Sequence, residues 1–127
     1  MNPLRLLLSL QRNIAGGTAV ETALLLPAFL TMILGGIAAG SIGFTVSSLN
    51  YAVESAARCA SVQTTVCTSS TAITNYAASK YSGPRISPVF TYSTAGCGHT
   101  VSARGTFSLN LVPQLLNLPL TATSCYP

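Results

Sequence analysis

The amino-acid sequence predicts an α+β fold in which a long N-terminal transmembrane helix is followed by a short helix and a small three-stranded antiparallel sheet. The first observation is a long apolar stretch between Glu21 and Glu54 that contains no charged residue. The second is an apolar pattern of helical type that continues to about residue 65. The third is a change of composition near residue 86, after which Val, Phe, Tyr and Thr become frequent, as they are in strands.

Residues 23–44 form the densest apolar part and are predicted to cross a membrane. They exceed the roughly 20 residues that a helix needs to span about 30 Å of hydrocarbon. The alternative is a buried core helix, but the rest of the 127-residue chain offers too little surface to cover it. Pro27 removes one backbone hydrogen bond and is expected to loosen the helix, which membranes tolerate. Gly36 and Gly40 allow close helix packing in a G-x-x-x-G pattern, although glycine is also common in membrane helices by composition.

The helix is predicted to continue beyond the membrane as an amphipathic segment. Its expected apolar stripe, which has some irregularity, comprises Val46, Leu49, Tyr51, Val53, Ala56, Ala57, Ala60 and Val62. A helix over residues 18–63 would be about 69 Å long at 1.5 Å per residue, which is longer than a bilayer is thick. Its distal half must then pack on an outer domain, which predicts a lollipop shape. Glu54 and Arg58 are four residues apart in the order that favours an ion pair. The predicted organisation is residues 1–16 ahead of the helix, 17–65 for the helix and 66–127 for the outer domain.

Positive charges before the apolar stretch predict its orientation. Arg5 and Arg12 precede it, and no acid precedes them. The positive-inside bias therefore keeps the N-terminus in the cytoplasm and places the C-terminal part outside. All four cysteines follow the apolar stretch, so they would lie in an oxidising compartment, where disulfides form.

The outer domain is predicted to hold a short helix and three strands. Ser70 is expected to cap a helix over residues 71–81, which ends at a Ser-Gly-Pro stop signal at residues 82–84. Strands are expected over 86–93 and 100–110, joined through a glycine-containing loop at 95–98. A leucine-rich turn then leads to a third strand over 118–124.

Three pairings of the four cysteines are possible. An antiparallel third strand would return Cys125 to the start of the second strand, beside Cys97. Cys59 and Cys67 would then close a local loop where the long helix ends. We therefore favour the disulfides Cys59–Cys67 and Cys97–Cys125.

Composition argues against several classes of function. Only 6% of the residues are charged, and the six Lys and Arg are scattered singly, which is unlike a nucleic-acid surface. Beyond the apolar stretch the chain has one acid (Glu54), one histidine (His99) and no Asp, so paired-carboxylate and Ser-His-Asp schemes lack parts. A C-x-x-C pair and a glycine-rich phosphate loop are absent. We expect no enzyme activity, catalytic residue, metal, cofactor, small-molecule substrate or nucleic-acid partner.

The order of segments at the N-terminus is unlike that of an ordinary signal peptide. A basic and partly apolar stretch is followed by Gly16-Gly17, and only then by the long apolar segment and Glu21. The residues GGTAVETALLLPAFL at 16–30 resemble the start of the TadE-like pseudopilins of tight-adherence (Tad, or Flp) type IV pilus systems. Residues 54–61 and 101–124 also resemble later segments of that family. Thr22 departs from the aromatic residue that often follows the glutamate, and TadF proteins share the pattern, so the sequence does not separate the two.

The resemblance implies a pilin-like subunit. Residues 1–16 would be a prepilin leader that a prepilin peptidase removes after Gly16, so that Gly17 becomes the N-terminus and Glu21 the fifth residue. From the residues alone, Glu21 could equally lie in the headgroup layer as an N-terminal helix acid that the helix dipole favours. The resemblance favours a pairing role, in which Glu21 binds the new amine of the same subunit or of a neighbour. The implied protein is a minor pilin or pseudopilin of the bacterial inner membrane that acts in pilus assembly, adherence or secretion. Its partners would be other pilin subunits, the Tad assembly platform and the membrane, and it could enter an extracellular pilus.

A second interpretation needs no pilus. The segment Ala38-Ala39-Gly40-Ser41 could serve as a late signal-peptidase site and release a soluble domain, or the chain could remain an uncleaved single-pass anchor. A mature N-terminus at Gly17, Ser41 or Met1 would distinguish these cases.

Overall fold

A computed structural model describes residues 15–111 and 114–127 of the chain. The α+β class is confirmed: two helices are followed by one three-stranded antiparallel sheet. The elements are α1 (Ala15–Val62), α2 (Ser70–Lys80), β1 (Val89–Ala95), β2 (Gly98–Leu111) and β3 (Gln114–Tyr126). The chain divides into two compact units, Met1–Ile37 and Ala38–Pro127. The predicted leader lies almost wholly outside the described residues.

Helix α1 begins at Ala15, before the predicted start at residue 17 or 18, and ends at Val62, before the predicted end at residues 63–65. It runs through Pro27 without a break in its assignment. Its C-terminal end is marked by Gln63, whose N–H still donates to the carbonyl oxygen of Cys59 at 2.8 Å. The chain then turns, and the N–H groups of Val66 and Cys67 donate to the Gln63 carbonyl oxygen at 3.0 and 2.9 Å. These bonds satisfy backbone groups that a helix end would otherwise leave open.

In the second unit, α1 buries one face. The buried side chains recur at helical spacing and are Leu49, Ala52, Val53, Ala56, Ala57 and Ala60. Small alanines let other elements approach α1 closely. The predicted apolar stripe was wrong at two positions, because Tyr51 is 59% exposed and Val62 is 63% exposed. Both lie on the side of the helix opposite its buried face.

Helix α2 is capped by Ser69 rather than by Ser70. Ser69 has extended backbone angles, and its Oγ accepts a hydrogen bond from the Ala72 N–H at 3.2 Å, as an N-cap serine does. Ile73 and Ala77 form the buried face of this helix. After α2, the Ser82 N–H donates to the Oγ of Ser48 on α1 at 2.9 Å, and this bond satisfies a largely buried hydroxyl.

The sheet has the order β1-β2-β3, and each neighbouring pair is antiparallel. Strand β1 begins at residue 89 rather than 86, because Ser87 has a φ of 46° and Pro88 has no N–H for the ladder. The predicted leucine-rich turn was wrong. Residues 114–117 already belong to β3 and pair with residues 108–111 of β2.

The inner face of the sheet completes the core. Val101, Ala103 and Phe107 on β2 are buried, whereas Arg104 and Thr106 between them are exposed, and Ala122 on β3 lies opposite Ala103. Val101, Ala103 and Ala122 belong to the same buried cluster as the face of α1 and the two residues of α2. The core of the second unit is therefore formed by both helices and the sheet.

Candidate functional site

The N-terminal end of α1 carries the residues that the sequence singles out for processing and assembly. Gly16 and Gly17 lie in the first turn of the helix. A Cβ added to Gly17 would meet nothing within 4 Å, and Glu21 is exposed. Gly17 and Glu21 are four residues apart in one helix, a spacing that places them on the same face. The structure thus presents a glycine and a carboxylate side by side at the start of the apolar segment.

The rest of α1 in the first unit is apolar and uncovered. Leu24 is 74% exposed, Met32 is 78% exposed, and the other large side chains of this stretch are exposed as well. Burying one such side chain contributes about 1.5–3 kcal/mol. The residues Ala19–Val62 form the one helix in the described chain that is long and apolar enough to cross a membrane, and an 18-residue window within it has a mean hydropathy of 2.0. This part of α1 is suited to anchor the chain in a lipid bilayer.

The predicted packing residues of α1 remain open to a neighbour. Added Cβ atoms on Gly36, in the first unit, and on Gly40, in the second, would each meet nothing within 4 Å. Near Pro27, the Thr31 hydroxyl donates to the carbonyl oxygen of Ala28 at 2.8 Å. The packing role of the proline and the two glycines stays a prediction.

Both disulfides of the structure are those that the sequence favours. Cys59–Cys67 joins the last turn of α1 to the loop after it, with Cα atoms 5.9 Å apart. Cys97–Cys125 joins the β1–β2 loop to the end of β3, with Cα atoms 6.3 Å apart. Cys125 lies opposite Thr100 in the register, as the antiparallel return of β3 requires. The Thr100 hydroxyl donates to the Cys125 sulfur at 3.1 Å.

The ion pair expected between Glu54 and Arg58 is not made. Both side chains are exposed, and within the described part of the chain neither has an ion-pair partner. Lys80 instead lies over the ring of Tyr76, with its Nζ 5.0 Å from the ring centroid. Burial raises the pKa of the Tyr81 phenol above its ordinary value, and its hydroxyl donates to the carbonyl oxygen of Pro84 at 2.7 Å.

The side chain of His99 contacts that of Tyr92. Its Nδ1 lies 2.6 Å from the Tyr92 hydroxyl, and the two rings stack with centroids 6.0 Å apart. Across residues 15–111 and 114–127, no three His, Cys, Asp or Glu side chains are grouped as metal ligands. Sequence reasoning missed both the Tyr92–His99 contact and the hydrogen bond between Ser82 and Ser48. Their residues are 7 and 34 positions apart, and no local motif marks either pair.

Comparisons with known proteins bear on the same N-terminal segment. No curated protein and no solved structure matches the chain significantly. Residues 16–58 match the model of the family described as TadE-like protein. That match begins at Gly16, includes Glu21 and the whole exposed apolar part of α1, and ends at Arg58. Over residues 16–58 the chain is therefore similar to TadE-like proteins, and this similarity suggests a protein associated with the pili of the Tad system.

Proposed function

We propose that this protein is a minor pilin or pseudopilin that takes part in assembling a Tad-type pilus. A prepilin peptidase cuts after Gly16 on the cytoplasmic side of the inner membrane. The trimmed α1 then leaves the bilayer and packs among the helices of other pilin subunits on the assembly platform. The C-terminal domain lies in the periplasm before assembly. The assembled pilus that contains this subunit then acts in adherence or secretion.

The single observation that carries this proposal is the start of the TadE-like match at Gly16, in the first turn of α1 and ahead of its exposed apolar segment. A processing point placed ahead of the apolar segment leaves that segment in the product. A signal peptidase that cut after Gly40 would instead remove it. Only cleavage ahead of the apolar segment leaves a subunit whose apolar helix can leave the lipid and pack against the apolar helices of its neighbours.

In this proposal, the carboxylate of Glu21 forms an ion pair during assembly. A carboxylate at mid-membrane costs about 3 kcal/mol, and less near the surface. Val20 and Leu24 beside it are exposed apolar residues, so packing this stretch among other helices would also desolvate the carboxylate. Cleavage after Gly16 creates an amine on Gly17, one helical turn away. An amine–carboxylate pair, within a subunit or between neighbours, offsets the burial and sets the axial stagger of the subunits.

The two glutamates of the chain provide a matched test of this pairing. Glu21→Ala should leave membrane insertion and cleavage intact but reduce the amount of the protein in sheared pili. Glu54→Ala removes the same charge from an exposed position outside the apolar segment and should not change incorporation. Measurements are immunoblots of membrane and sheared-pilus fractions. Normal incorporation of the Glu21→Ala variant would refute the pairing role.

Processing is tested separately by N-terminal sequencing of the mature protein. We expect Gly17 as its first residue, whereas Ser41 would indicate a secreted domain and Met1 an uncleaved anchor. Gly16→Leu should block cleavage and retain the larger form on a gel. Gly35→Leu, a matched change within the apolar segment, should leave the cleavage unaffected. An unchanged mobility of the Gly16→Leu protein would refute the cleavage site.

A further inference from the structure

The second unit contains a concavity of about 260 Å³ beside the C-terminal end of α1. It is lined by Ser55, Arg58, Cys59, Val62, Gln63 and Tyr76. We propose that this concavity binds a carboxylated sugar unit of an acidic polysaccharide. The proposal does not depend on the pilin function, because it uses neither the N-terminal segment nor any processing step.

Arg58 supplies the charge that selects a carboxylate. Its side chain is exposed and, among the residues that the structure describes, it has no ion-pair partner. Glu54 lies one turn earlier on α1 yet does not engage it, and no acid lines the concavity. A guanidinium presents a planar set of donors that can bind both oxygens of one carboxylate. An exposed and unpaired Arg at the wall of a concavity is therefore ready to bind such a group.

The remaining lining fits the other parts of a sugar ring. The hydroxyl of Ser55 and the amide of Gln63 can exchange hydrogen bonds with sugar hydroxyls. Val62, which is largely exposed, and the half-buried ring of Tyr76 offer an apolar wall to the C–H face of the ring. The volume lies below the 300–1,000 Å³ that is usual for drug-sized ligands, so it suits a single sugar unit.

The wall of the concavity is already ordered in the absence of a ligand. The disulfide Cys59–Cys67 closes the loop that follows α1, and two backbone N–H groups of that loop donate to the Gln63 carbonyl oxygen. On the other side, Lys80 lies over the Tyr76 ring and brings a second positive charge near the site. A wall that is already ordered reduces the entropy lost on binding.

The charge of the second unit favours a polymer with many negative charges. Residues 38–127 contain four Lys or Arg and one Glu, which leaves a net charge of +3. A net positive charge raises the rate of encounter with a polyanion, although it does not by itself select a site. Selection in this proposal comes from Arg58 and the neutral groups around it.

The test uses the full chain in nanodiscs of uncharged phosphatidylcholine, so that anionic lipid does not compete. Binding to immobilised polygalacturonate and to neutral dextran is measured by biolayer interferometry. We expect binding to polygalacturonate and none to dextran. Arg58→Gln should raise the Kd by about tenfold or more, because it removes a charge-assisted contact. Arg58→Lys keeps the charge but loses the planar fork, and should give an intermediate Kd.

Arg85→Gln is the matched control, because it removes the same charge from an exposed position outside the concavity. It should change the Kd by less than about twofold, as rim charges far from a site do. An equal loss in the Arg58→Gln and Arg85→Gln proteins would show diffuse attraction and overturn the proposal. Equal binding to dextran, or full displacement of polygalacturonate by the same charge concentration of duplex DNA, would overturn it as well.

Discussion

The two disulfides are expected to stabilise the second unit unequally. Cys97 and Cys125 are 28 residues apart in the sequence, whereas Cys59 and Cys67 are 8 residues apart. A cross-link acts mainly by restricting the unfolded chain, and a longer closed loop restricts it more. We predict that breaking Cys97–Cys125 lowers the free energy of unfolding more than breaking Cys59–Cys67 does.

The magnitude follows from the loop lengths. In the chain-entropy treatment, a cross-link lowers the entropy of the unfolded state by about 2.1 + 1.5R ln n cal/mol/K for a loop of n residues. With the two separations as n, the contributions near room temperature are about 3.6 kcal/mol for Cys97–Cys125 and about 2.5 kcal/mol for Cys59–Cys67. The difference of about 1.1 kcal/mol depends only on the ratio of the loop lengths.

The assay must separate the cross-link from the loss of buried sulfur, because Cys59 and Cys67 are buried while Cys97 is exposed. Two double variants, one with each pair changed to Ala, keep one disulfide apiece. For each variant, hydrogen exchange of the β2 amides is measured in the oxidised and the reduced state in detergent. The difference within one variant isolates the cross-link, since its packing otherwise stays the same. A contribution from Cys59–Cys67 that equals or exceeds that of Cys97–Cys125 would refute the loop-length reasoning.

Three further changes probe the second unit. Gly98→Ala should cost about 2–4 kcal/mol of stability, because the position has a φ of 126° and a Cβ would lie 2.6 Å from a backbone oxygen of β3. Val101→Ala should cost about 2 kcal/mol, because this side chain is fully buried in the core. Tyr81→Phe should cost about 1 kcal/mol at neutral pH through its lost hydrogen bond. Because burial raises the pKa of Tyr81, the fold favours its neutral phenol. The wild-type protein should therefore lose the stability contributed by Tyr81 as the pH rises through about 10 and above. The Tyr81→Phe protein should not show this part of the decrease in stability at alkaline pH.

Each of these changes has a matched control on the same chain. Gly96→Ala tests a positive φ of 66° in open space and should cost only about 1 kcal/mol. Val89→Ala removes an exposed valine and should stay within about 0.5 kcal/mol of the wild type. Tyr51→Phe changes an exposed tyrosine and should leave the alkaline loss in place. The free energy of unfolding of each variant is measured by chemical denaturation, with the hydrogen-exchange protection of the β2 amides as the signal. A control that matches its partner variant would contradict the structural reason given for that pair.

Local patterns were sufficient wherever one short stretch of sequence decides the structure. The uncharged run between Glu21 and Glu54 is long enough and apolar enough to predict a membrane-spanning helix from composition alone, and the structure forms a helix there. A serine cap and a Gly-Pro stop predicted the short helix over residues 71–81, and the structure places it one residue earlier, at Ser70–Lys80 with Ser69 as the cap. The disulfide pairing followed from strand direction, because an antiparallel third strand must end beside the start of the second.

The errors lie where distant parts of the chain decide the outcome. Residues 114–117 read as a turn because leucines follow Pro113, yet pairing with residues 108–111 makes them a strand. The exposure of Tyr51 and Val62 depends on which face of α1 the sheet and α2 cover, and helical spacing alone does not choose that face. The pair Glu54–Arg58 had the right spacing, but an exposed ion pair gains too little to hold two long side chains together.

The sequence by itself determined the order of the segments: a glycine pair, an acid, an apolar helix, and then a cysteine-bearing α+β domain. That order is a local property, since charge and hydropathy act on consecutive residues. Only the tertiary structure decided which side chains of α1 are buried and that Arg58 stands unpaired beside Tyr76 and Gln63. Burial and pocket formation depend on contacts between residues far apart in the chain, and no single stretch of sequence contains them.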